Sequence, residues 1–175
     1  MRIAWFLFCG MLLMANTNRE ELFVIKEKEI RVAGITSIGK FECSYGNEAL
    51  SDTLYTGDLP KARQLDFVIP VKDFGCGNFL LNKDFKTTIK ADQFPFCMVT
   101  VQSLNRGREG FLSDLAVNLA GKELFLNDVV FKHQDNQLVG EVDLSFGVLD
   151  LAPPKKFGGL IQVEDKLSLQ IIMGM

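Results

Sequence analysis

Apolar and polar residues alternate with a period near two along most of the chain beyond residue 20, a spacing that suits strands with one apolar face. The signal is cleanest where Leu138, Gly140, Val142, Leu144, Phe146 and Val148 share one face and Glu141, Asp143 and Ser145 the other. Leu65, Phe67, Ile69 and Val71 alternate in the same way with Asp66, Val68, Pro70 and Lys72. The same reading gives strands over residues 36–45, 50–55, 96–104, 111–119 and 161–172, and one over 124–131 that crosses a bulge at Asn127 and Asp128. Residues 23–32 mix Lys26, Glu27, Lys28 and Glu29 with apolar neighbours, which predicts an edge-like strand or two short pieces. Turn-forming clusters lie at 56–60, 105–110, 121–123 and 134–136, and Pro153-Pro154 ends the long alternating run.

The period changes once. After Gly75 and Gly77 break the strand, Asn82 or Asp84 offers an N-cap for a short helix that carries Phe85 and Ile89 on one side and stops by Pro95. Short strands at near-regular intervals with one brief helix predict an all-β fold, an antiparallel barrel or sandwich. A barrel of about eight strands is just wide enough for packed side chains or for one small ligand. At 175 residues the chain fits a single such domain.

The N-terminus stands apart. Arg2, the apolar run 3–14 and then Ala15, Asn16 and Thr17 have the layout of a secretory leader, and about twelve apolar residues fall short of the roughly 20 needed to span a bilayer. The expectation is a signal peptide over residues 1–17, a barrel domain over 18–175, and no membrane span after cleavage. That places the chain in the periplasm or outside the cell, and removes the only tryptophan, Trp5. A net charge of −3 and a pI near 5.2 give no basic footprint for nucleic acid or for anionic lipid headgroups.

Export leaves three cysteines, Cys43, Cys76 and Cys97, an odd number that one disulfide and one free thiol would satisfy. If residues 43–76 form a long hairpin turning near residues 57–61, Cys43 and Cys76 face each other and an oxidising compartment permits their bridge. The alternative is a pair of small buried apolar residues.

Candidate catalytic chemistry is thin. Gly34 to Lys40 matches seven positions of a phosphate-binding loop, but Phe41 stands where Ser or Thr should hold Mg²⁺, and a strand follows where a helix should. His133, the sole histidine, adjoins a turn, and no cysteine pair accompanies it at zinc-ligand spacing. Cys97 lies between apolar neighbours and no Gly-x-Ser-x-Gly elbow is present. These features predict no enzyme, no metal and no cofactor.

Several motifs resemble the YceI-like family of envelope proteins. They are Ile69-Pro70-Val71, Phe74-Gly75-Cys76-Gly77-Asn78, Asn82-Lys83-Asp84, Lys90-Ala91-Asp92 and Phe94-Pro95, together with Ile30 to Gly34, Phe41-Glu42-Cys43 and Phe146-Gly147-Val148. The resemblance implies a lipocalin-like antiparallel β-barrel that holds an isoprenoid or related lipid tail without catalysis. Thirteen phenylalanines remain after residue 17, and Phe, Leu and Val without placed polar groups suit an aliphatic chain better than a sugar or nucleotide. Strand parity then assigns the ligand-facing positions to Phe67, Ile69, Val99, Val101, Leu115, Val117, Val142, Leu144 and Phe146, with Phe79, Phe85 and Ile89 capping one end and Cys97 on the inward side. The competing expectation is a filled barrel, an interaction module of the envelope that binds through its surface.

Overall fold

The structure is a computed structural model that describes residues 21–175, so the expected leader lies outside the described residues. Thirteen strands and one α-helix follow in the order β1 (Leu22–Ile25), β2 (Glu27–Thr36), β3 (Gly39–Asn47), β4 (Asp52–Tyr55), β5 (Gly57–Asp58), β6 (Leu65–Pro70), α1 (Phe79–Thr88), β7 (Phe96–Val101), β8 (Ser103–Arg106), β9 (Phe111–Leu119), β10 (Lys122–Gln134), β11 (Gln137–Leu144), β12 (Lys155–Lys156) and β13 (Ile161–Gly174). Eight of them form an antiparallel sheet in the spatial order β3-β2-β13-β11-β10-β9-β7-β6. The sheet curls until its two edges meet. There the backbones of Ser44 and Gly75 exchange both hydrogen bonds at 2.9 Å, and Cys43 is disulfide-bonded to Cys76 beside them. The fold is thus an antiparallel barrel with a seam between β3 and the segment after β6.

Tight two-residue turns set the register. Asp135 and Asn136 both take positive φ between β10 and β11, as do Ala120 and Gly121 between β9 and β10, which matches the twist of the strands they join. The bulge falls between Leu126 and Val129 in β10, where Asp128 has φ 55°. In two places a phenylalanine ring lies flat over a glycine of the neighbouring strand: Phe41 over Gly34 and Phe131 over Gly140, with 2.6 Å and 2.7 Å to where a Cβ would sit. Only a residue without a side chain leaves room for either ring.

Several sequence expectations are corrected here. The long hairpin over 43–76 does not form, because β4 pairs with β1, β5 with β8 and β6 with β7. Burial explains this. Leu54 on β4 and Ile25 on β1 are both fully buried where the two strands pair. The local register survives, since Ser44 opposite Gly75 sets Cys43 opposite Cys76. Residues 23–32 do split into two pieces, one of the two expectations, but β2 lies between β3 and β13 rather than at an edge. Glu29 and Arg31 lie on its outer face, where Arg31 Nε pairs with Glu29 Oε1 at 2.6 Å, while Lys28 is buried on the inner side.

The helix begins earlier than expected. Asn78 is the N-cap, with its side chain accepting from the Leu81 N–H at 2.9 Å, while Asn82 lies inside the helix and accepts from the Cys76 N–H at 2.6 Å. Residues 96–104 divide into β7 and β8 at Gln102, and β8 runs on through Arg106. β11 stops at Leu144. A 3-10 turn over Gly147–Leu149 follows, which carries Val148 outward and buries Phe146 and Leu149.

Candidate functional site: an apolar cavity under the helix

The two halves of the barrel differ in filling. In one half Phe67, Val101, Leu115, Phe131 and Leu138 are fully buried, and the β1–β4 pair closes the end, with the Phe23 ring edge-on to Phe111 at 5.3 Å. In the other half the same alternation continues, but the inward side chains do not meet. They surround a cavity of about 140 Å³. A single water needs roughly 10–15 Å³ by the same kind of measure, so the space far exceeds a packing defect.

Each wall follows from strand parity. Val32 and Phe41 contribute from β2 and β3, Val99 and Val117 from β7 and β9, and Leu144 and Leu167 from β11 and β13. The helix supplies the roof through Leu81, Phe85 and Ile89, spaced by four along one face. Phe74 ties roof to wall. Its ring lies 5.2 Å from that of Phe85 and 6.0 Å from that of Tyr45 on β3, next to the seam disulfide. The disulfide therefore closes the barrel at the point where the helix is anchored.

The polar atoms around the cavity are already engaged. Thr36 Oγ1 donates to the Gly39 carbonyl at 2.7 Å, and Thr88 Oγ1 donates to the Asp84 carbonyl at 2.8 Å. Asp84 Oδ1 pairs with Lys156 Nζ at 2.7 Å across the mouth between α1 and β12. Among the described residues no buried side-chain nitrogen or oxygen lacks a partner, and no group of three or more His, Cys, Asp and Glu side chains is placed to hold a metal. Few polar groups reach this wall, and each of these already has a partner. What the wall can do chemically is exclude water from a hydrocarbon.

Cys97 faces this cavity as a free thiol, and burial pushes its pKa up to about 12. That holds it as the unreactive thiol at neutral pH. His133 lies exposed near the far end of β10, remote from the cavity, and Gly34 to Lys40 form a β-hairpin rather than a phosphate loop.

The structure brings together six of the twelve positions assigned from sequence: Phe85, Ile89, Val99, Val117, Leu144 and Phe146 line the cavity. Phe67, Ile69, Val101 and Leu115 point inward but are packed into the filled core. Val142 is half-buried against the core and is not on the cavity wall, and Phe79 is 82% exposed on the outside of α1 and caps nothing. Phe41, Phe74, Leu81, Leu167 and Leu169 also line the cavity and were not assigned. Leu167 and Leu169 carried a period-two signal in the final strand. Leu81 was hidden by the misplaced helix start.

No family model and no curated protein matches the sequence. Solved structures do match in shape. BcnA of Burkholderia cenocepacia superposes with a TM-score of 0.52 at 10% identity, over 82% of this chain and 94% of that one. A polyisoprenoid-binding domain from Saccharophagus degradans, implicated in plant cell wall breakdown, gives 0.52 at 10% identity over 88% and 95%. The fold is YceI-like. At this identity the likeness concerns the fold alone. Among the described residues no helix of this chain is long and apolar enough to cross a membrane.

Proposed function

We propose that this protein is a non-catalytic carrier of the bacterial envelope that sequesters the hydrocarbon tail of an isoprenoid or similar lipid between its barrel and α1. The observation that supports the reading most is the cavity itself, walled by Leu, Val, Ile and Phe with every nearby polar side chain already partnered. Binding to a polyisoprenoid in a domain of the same fold agrees with that chemistry. The driving force is apolar burial, about 0.8 kcal/mol for each CH₂ removed from water. The protein contributes shape and dryness, and the ligand changes only its location.

Tail length provides the test. Delipidated protein is titrated with isoprenoid alcohols of increasing length, and affinity should rise by roughly 0.8 kcal/mol per added CH₂ until the cavity is full and then level off. Affinity that ignores tail length, or saturable binding of sugars in preference to isoprenoids, would remove the reading.

A further inference from the structure

One exposed apolar cluster sits directly on the cavity mouth. Ile38, Phe157 and Leu160 are 74%, 73% and 79% exposed, values that leave most of each side chain in water. Two chain segments bring them together. The tip of the β2–β3 hairpin is clamped to the turn before β13: the Ser37 N–H donates to the Gln162 carbonyl at 3.0 Å, and Ser37 Oγ donates to the Leu160 carbonyl at 3.0 Å. Phe157 to Leu160 span the gap between Lys156 and Ile161, both of which line the cavity, and Thr36 does so two residues before Ile38. The cluster is therefore a rim of the mouth.

The backbone holds the rim outward at some cost. Phe157 takes φ 51°, a conformation that bulky side chains rarely adopt, and Gly158 and Gly159 continue with φ 67° and 98°. Charge at the tip leans basic. Residues 35–41 and 153–163 contain Lys40, Lys155 and Lys156 and no acidic residue, with Glu42, Glu164 and Asp165 next along the strands, in a chain whose net charge is −3. Asp84, reaching over from α1, neutralises Lys156 alone. Exposed apolar tips with Lys40 and Lys155 beside them, opening onto an apolar cavity, have the chemistry of a surface that enters the headgroup boundary of an anionic bilayer.

We propose that this rim docks the protein on an anionic lipid bilayer, with Ile38, Phe157 and Leu160 inserted among the acyl chains and Lys40 and Lys155 at the headgroups. A tail leaving the bilayer then passes into the cavity without crossing water. That last step rests on the carrier reading above. The docking itself does not.

Flotation with vesicles tests it. Protein purified from a bacterial envelope is mixed with vesicles of phosphatidylethanolamine and phosphatidylglycerol and spun through a density gradient, and its bound lipid is measured separately by organic extraction. The wild type should float, less with neutral phosphatidylcholine vesicles. A triple variant Ile38→Ser, Phe157→Ser, Leu160→Ser with an unchanged melting temperature should lose about tenfold or more in vesicle affinity. Phe125→Ser, on an exposed side chain of β10 outside the cluster, should float like the wild type. Docking is overturned if the wild type stays at the bottom, if the triple variant floats equally, if Phe125→Ser falls as far, or if the triple variant abolishes a dimer instead. A protein that carries extractable lipid but does not float leaves the carrier reading standing without the docking. One that floats and neither carries nor takes up lipid does the reverse.

Discussion

At the scale of single residues, the difference between a filled and a hollow half-barrel yields unequal costs for similar changes. Gly34→Ala and Gly140→Ala each drive a Cβ into a phenylalanine ring. Phe131 is fully buried in the closed core, whereas Phe41 borders the cavity and has room to swing. We expect Gly140→Ala to cost about 1–3 kcal/mol, as overpacking does, and Gly34→Ala to cost less. Urea midpoints compare them, and equal losses would mean that the space beside Phe41 is not open.

Cys97 and Lys28 give two tests by titration. With its pKa raised to about 12, folded Cys97 should resist iodoacetamide at pH 8 and react only on unfolding. Because the raised value favours the neutral thiol in the folded state, its contribution is intact below the unfolded pKa near 9 and is lost as pH rises towards 12. Lys28 is the opposite case. It is buried with its Nζ 5.1 Å from the Phe67 ring centroid, and burial lowers its pKa, an effect that the charge of Asp52 partly offsets. A lowered lysine pKa penalises folding when the amine is charged, a penalty relieved as pH rises. Lys28→Met should therefore raise the melting temperature at pH 7, and a fall would show that the amine stabilises the core.

At the scale of elements, the seam is where stability and site coincide. The Cys43–Cys76 bond closes a separation of 33 residues, for which loop-closure entropy gives about 4 kcal/mol. Replacing both cysteines by serine should lower unfolding free energy by roughly 2–4 kcal/mol in urea titrations. It should also loosen α1 first, because Phe74 and Phe85 hang from that seam, and amide exchange over residues 79–88 reads this directly. If the helix amides keep their protection, the seam does not anchor the roof.

Elements were also the scale at which sequence was most and least legible. Residues 111–119 and the 134–136 turn stand as expected, since period-two alternation and positive-φ turn residues act locally. Partnering is not local. Nothing in the 50–60 segment distinguishes a hairpin with its neighbours from pairing with β1 and β8, and the choice is made by burial of Leu54 and Leu104 in the assembled core. Site residues divide the same way. Parity tells which side chains face inward, so Val99 and Phe67 look alike in sequence, yet only Val99 lines the cavity, because filling depends on which inward residues meet across the barrel.

At the scale of the whole molecule, the barrel is plugged at one end and holds an apolar cavity under the helix at the other. Paired tryptophan substitutions probe the two halves. Leu115→Trp enters the filled core and should lose about 1–3 kcal/mol through overpacking, whereas Leu144→Trp should occupy the cavity, keep the fold and exclude lipid. Leu144→Trp that unfolds as readily as Leu115→Trp would argue for a filled barrel throughout.

Native mass spectrometry of the protein purified from a bacterial envelope tests the carrier account most directly. The account predicts a discrete hydrocarbon-rich mass held at one copy per chain, released by organic solvent and absent from Leu144→Trp. Protein that arrives empty and also refuses added isoprenoid quinones would contradict it.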